Sequence, residues 1–173
     1  MIAVRRLSAM DVLARKTVLM RPGVVTPELL AAVKTIVSAV RDHGDSAVRA
    51  YSEKFDKVKP DVIKVTDEEL TASGGRLTAE QRTALDTAAA RVKSFHEKGL
   101  PTSFESEAGK GVRLGRRVVP FQRAGIYVPG GLASYPTCVI MNAVPAVVAG
   151  VKELILCTPP PITPSVLYAA LIS

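Results

Sequence analysis

Tryptophan is absent from this chain, and four tyrosines and four phenylalanines are its only other large aromatic residues. Aromatic rings therefore cannot fill the interior, which must be made from Val, Leu, Ile and Ala, a mixture that α/β folds commonly use. No run of about 18 apolar residues lacks a charge or a proline, so no transmembrane helix is indicated. The best candidate, residues 139–151, is interrupted by Asn142 and Pro145. Near the start, Arg5 and Arg6 are followed by Asp11, Arg15 and Lys16, which break up any apolar signal-peptide core. A cytoplasmic location is the expectation.

Cysteine is scarce as well. Cys138 and Cys157 have no CxxC spacing and no neighbouring histidine, which leaves out the common zinc motifs and disulfide frameworks. Both lie in the most apolar part of the chain and are expected to be reduced, buried and structural. The two histidines, His43 and His96, each stand close to a glycine that ends a helical pattern. There an imidazole serves the negative end of the dipole, and neither has a metal-ligand partner nearby in sequence.

The charge of +7 raises the question of an acidic partner such as nucleic acid. The cations are dispersed, however. The one dense group, Arg113, Arg116, Arg117 and Arg123, is interleaved with apolar residues in a strand-like register, as on a solvated strand face. No RNA-binding aromatic signature or zinc-finger spacing accompanies it, so nucleic acid is not expected as a partner. With 173 residues, 47% of them hydrophobic, the chain can bury one or two modest cores.

The first hundred residues carry helical signals. Thr26 is a helix cap, Pro27 suits the first helical position and Glu28 the positive end of the dipole; Leu29, Leu30, Val33, Ile36, Val37 and Val40 then form one apolar stripe that closes near His43-Gly44. Asp45 is expected to cap a second helix through Tyr51 and Phe55, making a helical hairpin with the first. Residues 62–65 suggest a short edge strand. Thr66 with Glu69, and Thr78 with Gln81, give two capping-box patterns; Gly74-Gly75 ends the helix begun by the first. The second starts a long amphipathic helix, with Leu85, Ala88, Ala89, Val92 and Phe95 on its apolar face, that closes at Lys98-Gly99.

Residues 101–111 are rich in Pro, Ser, Gly and Glu and predict a loop or hairpin approach. The pattern then becomes strand (112–119), buried strand (125–128), helix with an internal Pro145 (135–149), buried strand (153–157) and, after three prolines, a last helix (165–172). This is a β-α-β unit with the start of a second crossover, which closes right-handed into a parallel sheet. The expected fold class is α/β: a mainly helical region over 1–111, then an incomplete Rossmann-like parallel β-α-β half-domain over 112–173.

Ligands of open α/β sheets bind at the carboxyl ends of the strands. Pro129-Gly130-Gly131 follows one strand and Pro159-Pro160-Pro161 the next. Glycine lets backbone approach a ligand closely, and helix N-termini suit an anionic group. The pattern is not GxGxxG, so the ordinary dinucleotide fingerprint is missing, and a tight turn with no ligand is the plain alternative. Tyr127, ending a strand, would put a flat ring and a hydroxyl at such a crevice, able to pack on a base or ribose. Asn142, in the middle of the following helix, is more simply a solvent-facing or packing amide.

The segment Gly125-Ile126-Tyr127-Val128-Pro129-Gly130-Gly131, continuing to Pro161, resembles histidinol dehydrogenase. Further matches in the same order are His43-Gly44-Asp45, the stretch Tyr51 to Asp56, Ser94-Phe95-His96 and Gly111-Val112. The first 20 or so residues and Gly74-Gly75 add little, and Cys138 stands where a small polar residue is usual in that family. The resemblance implies an NAD-dependent dehydrogenase that oxidises L-histidinol through the aldehyde to L-histidine, the last step of histidine biosynthesis. It implies zinc as a second cofactor and a homodimer as the working form.

By the same resemblance Tyr127 is an NAD contact, and Pro129 and Pro159 are apolar walls of the cofactor site. The family's zinc ligands (two His, a Gln and an Asp) and its catalytic Glu-His pair lie further on, and none maps onto this chain. The expectation is an N-terminal portion of the enzyme with part of the NAD crevice, no catalytic machinery, no activity alone, and a tendency to associate through an open sheet edge. The rival is a non-enzymatic module of the same fold that binds a nucleotide or a protein.

Overall fold

Side-chain caps set where four of the helices of this protein begin, those after Asp11, Thr26, Thr66 and Thr78. The computed structural model describes residues 6–20, 25–131 and 133–173, which group into two compact units, Met1–Ala47 and Val48–Ser173. In the first, a 3-10 turn at Leu7–Ala9 leads to helix α1 (Val12–Leu19), where the Asp11 carboxylate accepts the Ala14 amide at 2.7 Å. Helix α2 (Pro27–His43) starts as expected, with the Thr26 hydroxyl accepting the Leu29 amide at 3.2 Å, and stops at Gly44, whose φ of +55° favours glycine. Its apolar stripe is there but uncovered: Leu29, Leu30, Val33 and Val37 are exposed, and α2 buries no residue. Helix α3 (Asp45–Asp56) begins at the very next position. Asp45 is thus the first helical residue rather than the cap expected from the sequence, its carboxylate still at the positive end of the dipole.

In the second unit, Tyr51 and Phe55 stack with ring centres 5.8 Å apart. The Arg49 guanidinium donates to the carbonyls of Pro60 and Asp61, each at 3.2 Å, holding the chain after α3 back against the helix. The edge strand expected at 62–65 does not form. Val62 and Ile63 are exposed, and three β-branched residues with no strand beside them gain no ladder hydrogen bonds. Helix α4 (Asp67–Ala72) carries the full Thr66/Glu69 capping box, and helix α5 (Ala79–Lys98) the full Thr78/Gln81 box.

The Gly74-Gly75 pair sits in a 3-10 turn, Ser73–Arg76, between α4 and α5. Arg82 of α5 donates to the carbonyls of Gly74 and Leu77 at 2.8 and 2.9 Å. A Cβ on Gly74 would lie 3.1 Å from the Tyr168 ring, and the Tyr168 hydroxyl donates to Asp86 at 2.9 Å. Leu85 and Ala89 of α5 enter the core as expected, but Phe95 is 74% exposed and lies against the edge of His96 instead.

Strands β1 (Phe104–Gly109) and β2 (Val112–Arg116) form an antiparallel hairpin around Lys110-Gly111, where Gly111 has φ +78°. This corrects two expectations: much of the 101–111 loop is strand, and the strand expected over 112–119 ends at Arg116. Every residue of both strands is exposed. Glu105-Ser106-Glu107 of β1 has no apolar alternation to betray a strand, and pairing rests on the ladder, an Arg113–Glu105 ion pair at 2.8 Å, and Arg116 over the Phe104 ring.

Strand β3 (Arg123–Tyr127), helix α6 (Pro136–Val148), strand β4 (Glu153–Cys157) and helix α7 (Pro164–Ile172) follow. β3 and β4 pair in parallel, from Arg123 opposite Glu153 to Tyr127 opposite Cys157, so the β-α-β unit forms as expected. An Arg123–Glu153 ion pair of 2.7 Å closes the lower end. Helix α6 packs on β3, and α5 and α7 pack on α6 and on each other, burying Ile126, Val128, Val139, Ile140, Ala143, Val144, Val166 and Ala169 with Leu85 and Ala89. Ile126 of β3 is buried, with Val128 just beyond it, whereas Leu154 and Leu156 of β4 are only half-buried, so β4 is not the buried strand expected. Tyr127 and Ile155, on the other face, are 69% and 44% exposed, with no covering layer among the described residues.

Candidate functional site

The carboxyl ends of β3 and β4 bring the candidate residues to one edge. The Val128 amide donates to the Cys157 carbonyl at 2.9 Å, carrying the ladder one step beyond Tyr127. Val128 is completely buried and fixes the strand end, so Tyr127 before it points to the uncovered face and Pro129 after it starts the turn. Pro129 is exposed, and Pro159, two residues past the register partner of Tyr127, is half-buried. The sequence-based set, Tyr127, Pro129 and Pro159, thus lies along a single sheet edge.

The two turns touch through glycine. A Cβ built on Gly130 would stand 2.6 Å from Pro159 Cγ, 3.1 Å from its Cδ and 3.3 Å from its carbonyl oxygen. Gly131 is glycine for a different reason, a φ of +105° that other residues rarely adopt.

A second tie went unseen in the sequence. Ser134 Oγ lies 2.7 Å from Thr163 Oγ1 and 2.8 Å from Ser165 Oγ, and Thr163 and Ser165 are 3.1 Å apart. Thr163 precedes α7, but its side chain caps no helix amide because it is turned toward Ser134. Partners 29 and 31 residues apart leave no local signal.

The chemistry of this edge is uncharged. Residues 127–135 and 158–164 include no Asp, Glu, His, Lys or Arg, so the turns supply no ordinary general base or acid. They offer an aromatic ring, proline walls, hydroxyls and backbone close to the surface, which suits holding a flat, polar-edged ligand. Among the described residues no three His, Cys, Asp or Glu side chains group so as to hold a metal ion. His43 lies in the last turn of α2, and His96 is half-buried in the last turn of α5.

Asn142 is exposed, the solvent-facing amide expected as its plain reading, and it donates to the Cys138 carbonyl at 2.6 Å. The cysteines are both free, Cys138 half-buried and Cys157 exposed. Buried status fails for Cys157 because it falls on the uncovered face of β4. Two shallow hollows, along Ala79, Thr83, Thr87 and Arg91 of α5 and over the β1–β2 hairpin, include no residue of this edge.

The histidinol dehydrogenase family profile matches residues 19–173. A histidinol dehydrogenase of Aromatoleum aromaticum is 44% identical over an alignment covering 99% of this chain and 41% of the relative. One from Vibrio vulnificus is 40% identical over 88% of this chain and 36% of its own length. The crystal structure of histidinol dehydrogenase from Elizabethkingia anophelis superposes with a TM-score of 0.82 at 32% identity, over 93% of this chain and 38% of that one. The chain spans well under half the length of the relatives it matches.

Proposed function

The chain belongs to the histidinol dehydrogenase family, and on that premise we propose that its β3–β4 edge is one wall of an NAD crevice. Tyr127 packs its ring on a base or ribose, and Pro129 and Pro159 are the apolar walls beside it. The observation that carries this reading is the convergence of an exposed Tyr127, Pro129 and Pro159 at the carboxyl edge of a parallel pair, with Gly130 drawing the backbone of one turn onto the other. Residues 112–173 are then the opening part of a Rossmann-like nucleotide-binding domain, and residues 1–111 a mainly helical region before it.

The whole enzyme's reaction is the NAD-dependent oxidation of L-histidinol to L-histidine, in the cytoplasm and as a homodimer. NAD, when bound, supplies the hydride acceptor. This chain's residues contribute binding and orientation: the ring of Tyr127 fixes one plane, and the proline walls keep water from the apolar sides. Proton transfer falls to groups outside the two turns, which have none to offer near neutrality. Zinc does not fit the described residues, and no step is assigned to it. Alone, the chain holds NAD weakly and does not turn over histidinol.

Calorimetry with NAD, together with an NADH-production assay containing histidinol, NAD and zinc, tests the reading. The expected result is weak NAD binding, lost in Tyr127→Ala, and no NADH. Robust turnover would overturn the assignment of chemistry to other residues. Salt-sensitive binding of nucleic acid with no response to NAD would favour the non-enzymatic module.

A further inference from the structure

We propose that Gly130 is a positioning residue: with the Ser134–Thr163–Ser165 hydroxyl cluster, it sets the spacing between the two strand-end turns and so the width of the cofactor crevice. This rests on the NAD reading above and adds a residue class to it, one that shapes the crevice without touching the cofactor. Gly130 does not take a left-handed φ, unlike its neighbour Gly131. Its backbone would accept a side chain; the obstacle is the Pro159 ring at 2.6 Å from a built Cβ. An ordinary carbon–carbon contact needs about 3.5 Å, so an added methyl must move one turn from the other by about 1 Å.

The ring cannot swing aside as a flexible side chain would. Pro159 is the first of three consecutive prolines, each with φ held by its ring, so displacement passes into the backbone of the whole segment. On the other side of the turn, the hydroxyl of Ser134 is bonded to both Thr163 and Ser165 at the start of α7. A close contact and a hydrogen-bonded tie therefore act on the same two turns, four residues apart in the first of them. Tyr127 and Pro129 are carried by one turn and Pro159 by the other, so the spacing decides whether all three meet one ligand.

The test is a double-mutant cycle on the whole chain, Gly130→Ala, Pro159→Ala and the pair, with Ser134→Ala alongside. One readout needs no cofactor: amide hydrogen exchange over residues 128–135 and 158–165. Gly130→Ala should speed exchange in both segments, and it should do so much less on the Pro159→Ala background, where the ring is gone. The second readout is the dissociation constant for NAD, expected to weaken about ten-fold in Gly130→Ala and less in Ser134→Ala.

Unchanged exchange in Gly130→Ala, or an effect just as large without the Pro159 ring, overturns the spacing role. Faster exchange in both turns with unaltered NAD affinity leaves the NAD reading standing and overturns the positioning role. Wild-type protein that binds no NAD removes the NAD reading and the positioning role with it, while the exchange cycle still decides whether Gly130 spaces the turns.

Discussion

Among the described residues two sheets of two strands each stand, and they are built on opposite terms. The β1–β2 hairpin is exposed at every position and is tied by its ladder, one ion pair and a cation over a ring. The β3–β4 pair is parallel, cannot be closed by a short turn, and is supported on one face by α6, on which α5 and α7 pack to complete the core. The first sheet depends on pairing and the second on packing. Ligand-bearing edges belong to the second kind, since a crevice must be held by something more rigid than its own ladder.

The largest effect that would sharpen this contrast is in the helix layer. Ile140 of α6 is 1% exposed, and Ile140→Ala should cost about 3 kcal/mol in denaturant unfolding through the lost methyl groups and the cavity left behind. Leu114→Ala in the hairpin, where the side chain is already 58% exposed, should change stability by less than about 0.5 kcal/mol. Equal losses would break the comparison.

Next comes the hairpin's one tight point. A Cβ on Gly115 would run into the Phe104 carbonyl across the ladder. Gly115→Ala should therefore unpair β1 and β2, at a local cost of about 1–3 kcal/mol. Amide exchange should accelerate over residues 104–116 while protection of β3 and β4 is unchanged. Spread of the effect to the parallel pair would show that the sheets are not independent.

The smallest effect depends on pH. The hydrogen bond to Asp86 holds the Tyr168 phenol above its ordinary value, helped by partial desolvation and the carboxylate's charge. A folded value raised above the unfolded one means that the contribution is fully present below about pH 10 and is lost as pH rises through the folded value. Thermal midpoints should fall above about pH 10. The fall should be shallower in Tyr168→Phe, with the hairpin unaffected.

What could be read in the sequence follows the same divide between local and distant causes. Thr26, Thr66 and Thr78 were legible as caps because each bonds an amide three residues on. The β-α-β order was legible because Ile126 to Val128 and Leu154 to Cys157 are short apolar runs and α6 is apolar apart from Thr137 and Asn142. Those same runs suggested buried strands, and burial requires covering layers that an apolar sequence cannot reveal by itself. Strand β1 was hidden because Glu105, Ser106 and Glu107 are solvated on both faces, and residues 62–65 misled because strand-forming side chains do not make a strand without a partner. At the candidate site, the turn positions of Tyr127, Pro129 and Pro159 could be placed from motif and strand order. The Gly130–Pro159 contact and the Ser134 hydroxyl tie are products of the folded edge.

The bare neutrality of the two strand-end turns has a consequence of its own. With no carboxylate, imidazole or ammonium on either segment, the mouth they form has no titration of its own near neutrality and little counterion atmosphere to shed. On the proposed reading, acidity and ionic strength then act on occupancy chiefly through the ligand's own ionisation and through charges carried elsewhere, so the curve traced on changing the buffer describes the guest more than the host.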